Sequence, residues 1–200
     1  MMNLNTLLLR QRVRAEYGLS CEAFTYSAHT ASPARIVERL AGFVEALDVE
    51  RLHLVGHSLG GLLVMRFLAQ ARSLPPGRAV LLGAPVVRSR AAESLATSTL
   101  GRAMLGPAGV EELVVEQGRT WSGERDIGCI AGNARFGLGH VIGRIADEND
   151  GSVAVEETRL PGARDHLVLP VSHTGMLFSQ DVAHQVGHFL ERGSFDRPAP

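Results

Sequence analysis

The chain has 200 residues, 45% of them apolar, enough for one globular domain with a sizeable core. Its formal net charge is −1, which gives no electrostatic argument for nucleic acid or an anionic membrane as partner. Two distant cysteines, Cys21 and Cys129, exclude a disulfide framework and a metal knuckle, and both read as small buried hydrophobes.

Residues 1–15 read as a helix with Leu4, Leu7 and Leu8 on one face, stopped by Gly18. Leu7-Leu8-Leu9 is too short for a signal-peptide core, and charges follow it instead of preceding it. No stretch reaches the roughly 20 apolar residues of a membrane span. A cytoplasmic protein is therefore expected. Residues 22–26 read as a strand. Ser32-Pro33 starts a helix, with serine as cap and proline at the first position. Ile36, Val37, Leu40, Phe43, Val44 and Leu47 follow at helical spacing.

Leu52 to Val55 reads as a strand and Leu59 to Arg72 as a helix. Between them lies Gly56-His57-Ser58-Leu59-Gly60, followed by Gly61. A serine on a sharp strand-to-helix turn is held in a strained backbone, with its hydroxyl at the carboxyl edge of the sheet. The helix that follows aims its N-terminus at developing negative charge. Glycines two residues away on either side remove Cβ atoms that would crowd the turn. Ser58 is thus the candidate nucleophile, and the Leu59 N–H a candidate oxyanion donor.

Pro75-Pro76-Gly77 breaks the chain, and Ala79 to Leu82 is a further buried strand. Residues 91–104 and 110–117 read as helices separated by Gly106-Pro107. Leu95 to Gly118 is a candidate small lid. Leu100, Met104, Leu105 and Leu113 there either line an acyl channel or pack two short helices together. Asp126 to Ala131 reads as a strand, and residues 132–151 as irregular. His166 to Val171 is a late strand, and Asp181 to Glu191 a closing helix. Strands alternating with helices predict a mostly parallel, doubly wound α/β sheet with helices on both faces.

A serine nucleophile needs a base, and the base needs an orienting acid. Eight histidines compete. His53 lies within a strand, and His57 is the variable residue of the turn. His184 and His188 share one face of the last helix and read as a solvated pair without the further ligands a metal would need. His173 lies just past the late strand, on the sheet edge expected to carry Ser58. Asp147, Glu148 and Asp150 compete as the acid. Asp150 is preferred because it precedes glycine and lies 173 − 150 = 23 residues before His173. The chain order Ser58, Asp150, His173 is the one expected of a doubly wound hydrolase sheet. This chemistry needs no cofactor and no metal.

On these residues the chain resembles the α/β-hydrolase superfamily, and most of all its small bacterial lipases and esterases. The turn Gly56 to Gly61 carries the resemblance. So do Asn149-Asp150-Gly151-Ser152-Val153 and Val171-Ser172-His173-Thr174-Gly175-Met176-Leu177. The resemblance covers roughly residues 20 to 190. It implies cleavage of a small-molecule or lipid ester. Thioesterase or amidase chemistry, or an impaired hydrolase-like binding domain, are the alternatives. It also implies a departure. Such enzymes carry a strand before the first helix that ends in a His-Gly loop, whose N–H supplies half of the oxyanion hole. This chain opens in what reads as the first helix. The resemblance thus implies an N-terminally truncated fold with a minimal lid, begun at an internal methionine, or a degenerate member.

Overall fold

The computed structural model describes residues 6–71, 73–115, 118–134 and 148–197. Its centre is a four-stranded sheet in the order β1-β2-β3-β4, with every neighbouring pair parallel. The strands are β1 (Leu54–His57), β2 (Ala79–Leu82), β3 (Ile127–Gly132) and β4 (Asp165–Leu169). Successive strands add to the sheet edge one after another, as short right-handed crossovers favour.

Side-chain alternation decides which helix covers which face. Ala79, Leu81, Ile127 and Cys129 point into one core, with α2 (Pro33–Glu45) and α3 (Leu59–Gln70). Val80, Leu82 and Ile130 point into the other, with α1 (Leu7–Tyr17) and the final helix. Both faces of β2 and β3 are therefore dry, which is why these strands read as continuous apolar runs. β1 is different. Leu54 is buried, but Val55, on the opposite face, is 39% exposed. Among the described residues, the second core does not extend under this strand.

The helix boundaries follow their caps. The Ser32 side chain accepts from the Arg35 N–H, with Pro33 at the first position of α2. Gly18 ends α1 in the left-handed conformation at φ 67°. The buried stripe of α1 is Leu9 and Val13, an i, i+4 pair packed in the second core. Leu7 and Leu8, expected on the inner face, are 37% and 41% exposed, and Leu4 lies outside the described residues.

Residues 22–26, expected as a strand, form none. A strand exists through its ladder, and among the described residues this segment is not one of the strands of the sheet. Its alternation is satisfied by side chains instead. Phe24 and Tyr26 pack against the first core, and Phe24 lies 5.6 Å from the Phe43 ring.

The expected lid forms α4 (Arg90–Ala96) and α5 (Thr99–Val110), followed by a π-helical turn over Glu111–Val115. The first expected helix is split at Ser98, whose side chain caps α5 by accepting from the Gly101 N–H. Gly106, expected to separate two helices, does break the helical backbone, at φ 69° and ψ 172°, so α5 is two helical pieces joined across a kink. An ion-pair cluster ties the turn to α3: Arg66 lies 2.6 Å from Glu111 and 3.0 Å from Glu112, and Arg119 lies 2.6 Å from Glu112. Burial pushes the Glu112 carboxyl up, and the two arginines pull it back. Leu113 packs on the first core. Leu100 and Met104 face solvent at 73% and 57% exposure, so they line no enclosed channel.

The final helix, α6 (Gln180–Arg192), packs along α1 and is capped by Ser179. Its His184, expected on a freely solvated face, joins three segments. Nδ1 lies 2.5 Å from Glu16 Oε1 on α1, and Nε2 lies 3.0 Å from Asp196 Oδ2 near the C-terminus. Cys21 is half-buried and Cys129 is buried, its thiol pushed up to about 12 by burial, and both are free.

The carboxylates of Glu16 and Asp196 raise the His184 pKa above its ordinary 6.5 through hydrogen bonds. The folded state therefore favours the imidazolium. Its stabilisation is fully present below about pH 6.5 and is lost as pH rises through the raised value. The three groups are exposed enough for solvent to weaken the effect. Thermal melts should show wild type above His184→Gln at about pH 5.5, with the gap shrinking by about pH 8.5.

Candidate active site

The strand order brings four carboxyl ends together. His57 lies beside Leu82, Leu82 beside Ile130, and Gly132 beside Leu169. The chain just beyond each of these ends contributes to one locus. Ser58 follows β1, Gly83 follows β2, Gly132 closes β3, and His173 lies four residues past β4. Asp150 enters from the segment between β3 and β4. Such an edge is where open α/β sheets bind ligands.

Ser58 sits at φ 53°, ψ −124°, a left-handed conformation that a serine rarely adopts. Its N–H is paired to the Leu82 carbonyl at 2.8 Å, and its carbonyl accepts from the Gly61 N–H at 2.9 Å. The backbone is thus held on both sides of the strained residue. The turn closes tightly because Gly56 has no side chain. A Cβ there would lie 2.6 Å from the Gly60 carbonyl oxygen and 2.6 Å from the Gly61 backbone. Leu59 is the first residue of α3, where an amide N–H has no partner within its own helix.

Asp150 and His173 come together. Asp150 is 1% exposed, and its Oδ2 accepts from His173 Nδ1–H at 2.7 Å. Its other oxygen accepts from the Ser152 and Val153 N–H groups at 2.9 and 2.7 Å. Both carboxylate oxygens are therefore occupied, and the side chain has one orientation. The His173 N–H in turn donates to the Asp150 carbonyl at 2.8 Å. With Nδ1 as donor, a neutral His173 imidazole presents Nε2 as an acceptor. The acid loop is pinned beneath by buried Glu157, which accepts from the Ala154 and Arg90 backbone N–H groups, each at 2.9 Å. Of the competing acids, Glu148 is exposed and accepts from Asn133 at 2.7 Å. Asp147 lies outside the described residues.

Three further residues shape the locus without having been singled out as site residues. Gly83 has φ 53°, and a Cβ there would lie 3.1 Å from both Asp150 Oδ2 and His173 Nδ1. Tyr26 places its hydroxyl 3.5 Å from where a Gly60 Cβ would stand, and burial pushes that phenol up to about 12. His57 lies against His173, with ring centroids 4.6 Å apart. No periodicity marks any of the three, because each acts through a neighbour distant in sequence.

The other histidines sit elsewhere. His53 Nδ1 accepts from the Arg78 N–H at 3.1 Å, and burial pushes its pKa down to about 4. His166 pairs with Thr158 at 2.8 Å. Among the described residues, no group of three or more His, Cys, Asp or Glu is arranged to hold a metal ion. A surface depression of about 730 Å³, lined by His29, Arg102, Gly106, Pro107 and Val115 among others, includes none of Ser58, Asp150 and His173.

A parallel α/β sheet with a strained serine between strand and helix, and an Asp–His pair on the same edge, defines a hydrolase-type architecture. The sequence agrees: a model of the alpha/beta hydrolase family matches residues 7–190, and the chain belongs to that family. Solved structures similar in fold include the mature lipase BlEst2 of Bacillus licheniformis, at 19% identity and a TM-score of 0.57, covering 80% of this chain and 71% of that one. The chain spans 42% of the propeptide form of the same lipase. A meta-cleavage product hydrolase of Pseudomonas fluorescens matches at 16% identity and 0.58, covering 94% and 85%. The pyrethroid hydrolase PytH matches at 14% and 0.61, covering 94% and 93%. A search of curated proteins finds no significant match.

Two substitutions test this geometry. Gly56→Ala drives a Cβ into backbone that has no room to move. It should lower unfolding free energy by about 3 kcal/mol, the upper range for overpacking, as read by urea denaturation. Gly83→Ala should leave more of the stability, since its neighbours are side chains. It should displace His173 from Asp150 and weaken the protection of the His173 Nδ1–H, read as loss of its low-field proton resonance.

Proposed function

We propose that the chain is a serine hydrolase that cleaves carboxylic esters by acyl transfer, with Ser58 as nucleophile, His173 as base and Asp150 as orienting acid. The observation that carries this reading is the 2.7 Å bond between His173 and a fully buried Asp150, on the same sheet edge as a serine held at φ 53°. A buried acid with both oxygens occupied is suited to holding one imidazole tautomer. The fold neighbours named as a lipase and as a pyrethroid hydrolase lend support to the hydrolase class, while fold alone does not select the bond cleaved.

In this reading Ser58 Oγ attacks the substrate carbonyl carbon as its proton passes to His173 Nε2. The carbonyl π electrons move to oxygen, and the Leu59 N–H faces that oxyanion. The tetrahedral adduct collapses. The bond to the leaving alcohol breaks, and His173 returns its proton to the alcohol oxygen. Water, deprotonated by the same Nε2, then attacks the acyl-enzyme and releases the acid. Asp150 accepts the Nδ1–H throughout and stabilises the imidazolium formed in each half-reaction. The substrate is a small-molecule or lipid ester, and residues 1–200 act as a single domain. Among the described residues no helix is long and apolar enough to cross a membrane. A cytoplasmic setting belongs to the same proposal.

A fluorophosphonate probe should label the chain at Ser58, and Ser58→Ala should abolish both labelling and turnover. Labelling that persists in Ser58→Ala would sink the assignment. Asp150→Asn should lower kcat by about 10⁴. Glu148→Gln should stay near wild type, because Glu148 faces Asn133 and solvent. A parallel panel of p-nitrophenyl esters, thioesters and anilides selects the acyl class. Turnover of thioester or anilide in preference to ester would replace the ester reading with one of its two alternatives.

A further inference from the structure

His57 is not needed for the triad chemistry, yet its ring is spent on the histidine loop. Its Nε2 lies 2.9 Å from the backbone carbonyl oxygen of His173. A carbonyl only accepts, so His57 Nε2 carries the hydrogen and donates. We propose that His57 is a positioning residue that locks the His173 loop to the nucleophile turn and so sets where the His173 imidazole stands relative to Ser58. The inference rests on the reading of Ser58 and His173 as nucleophile and base.

The His173 N–H is held by the Asp150 carbonyl and its Nδ1 by the Asp150 carboxylate, at 2.8 and 2.7 Å. Both bonds tie His173 to the acid loop. Neither ties it to Ser58, which is carried on a different loop with its own ladder to β2. The His57 bond spans 116 residues of sequence and joins the two loops directly. His57 is rigidly placed for this, being the last residue of β1, paired in register with Leu82. Ring contact at 4.6 Å and a 45° tilt adds a second point of support. Together the carbonyl and N–H bonds fix both ends of the His173 residue, so its side chain leaves a backbone that cannot swing.

The state of His57 suits the role. Burial, reinforced by the neighbouring His173, pushes its pKa down to about 4. It is therefore neutral well above that value, and a neutral ring adds no like charge beside the His173 imidazolium of the proposed reaction. The groups facing it are His173 and, through charge, Asp150, which favours its protonated form less strongly than burial opposes it.

Three variants test the lock. Glutamine places its amide nitrogen near the position of imidazole Nε2 and can donate to the same carbonyl. Asparagine is too short to reach it. Leucine keeps bulk and removes the donor. His57→Leu and His57→Asn should lower kcat and the rate of fluorophosphonate labelling at Ser58 by about 10- to 100-fold, the cost of misplacing a reacting group. KM should stay within about twofold, because His57 is proposed to touch no substrate. His57→Gln should recover to within about threefold of wild type.

A readout independent of turnover accompanies these: hydrogen exchange of the His173 amide should speed up in the Leu and Asn variants and not in Gln. Each rate is compared among variants that melt within a few degrees of wild type. If wild type labels at Ser58 while the Leu variant labels and exchanges at the wild-type rate, the lock is overturned and the hydrolase reading stands. Equal losses in Gln and Leu overturn it as well, since a merely structural site would not recognise the donor. A wild-type chain that the probe leaves unlabelled overturns the hydrolase reading itself.

Discussion

The backbone of Ser58 is the constraint around which the sheet edge is organised. A serine at φ 53° costs energy, and such a residue persists only where its surroundings over-determine it. Here they do. The Leu82 carbonyl holds the residue from the side of β2, and the Gly61 amide from the side of α3. Gly56 lets the helix start close beneath the strand. Each of these supports depends on a larger element. The Leu82 bond requires β1 and β2 in parallel register, and that register requires both faces of β2 to be buried. The helix that follows buries Leu62, Leu63 and Phe67 against the first core, so the turn cannot relax without unseating α3.

The same edge gathers the other groups because parallel strands end together. Asp150 and His173 arrive on separate loops, yet both reach the space above Gly83, where a Cβ would crowd them, and Gly132 likewise leaves room for Asp150. The carboxylate is then satisfied on both oxygens inside a buried turn. This matters energetically, because an unpaired buried carboxylate would be costly and would shed its charge. Pairing it with backbone N–H groups and one imidazole keeps the Asp150 turn closed. The geometry is therefore stabilised from beneath by Glu157 and laterally by His57, neither of which takes part in bond making in the proposed reaction.

The helical region that follows β2 is held differently. The π-helical turn is joined to α3 by the ion pairs of Arg66 with Glu111 and Glu112, beside the packing of Ala108 and Leu113 on the first core. Leu100, Met104 and Val115 remain exposed on the outer side of the region. An ionic attachment orients a segment by direction and charge, whereas an apolar one would fix it by close packing. Hydrophobic periodicity over the described part of residues 91–117 gave helices in kind and the break at Gly106, but not the one at Ser98. The breaks are set by the Ser98 cap and the Gly106 kink, which are local hydrogen-bond and backbone decisions.

By itself the sequence determined the strand–turn–helix around Ser58, the alternation of strands and helices, and the family. These follow from local chemistry: glycines where a turn is tight, proline and serine at helix starts, apolar runs where both faces are buried. It also singled out Asp150 and His173 as partners, from chain order and spacing. Only the tertiary structure decided which residues those partners touch. Whether 22–26 became a strand depended on a ladder partner, which no propensity supplies. Whether Leu7 or Leu9 faced inward depended on how α1 lies along α6. The roles of Gly83, Glu157 and His57 were invisible, because each depends on at least one contact 67 or more residues away in the chain. A local pattern records what a residue asks of its neighbours in sequence. A contact across the sheet edge records what folding brings to it, and that is decided by packing.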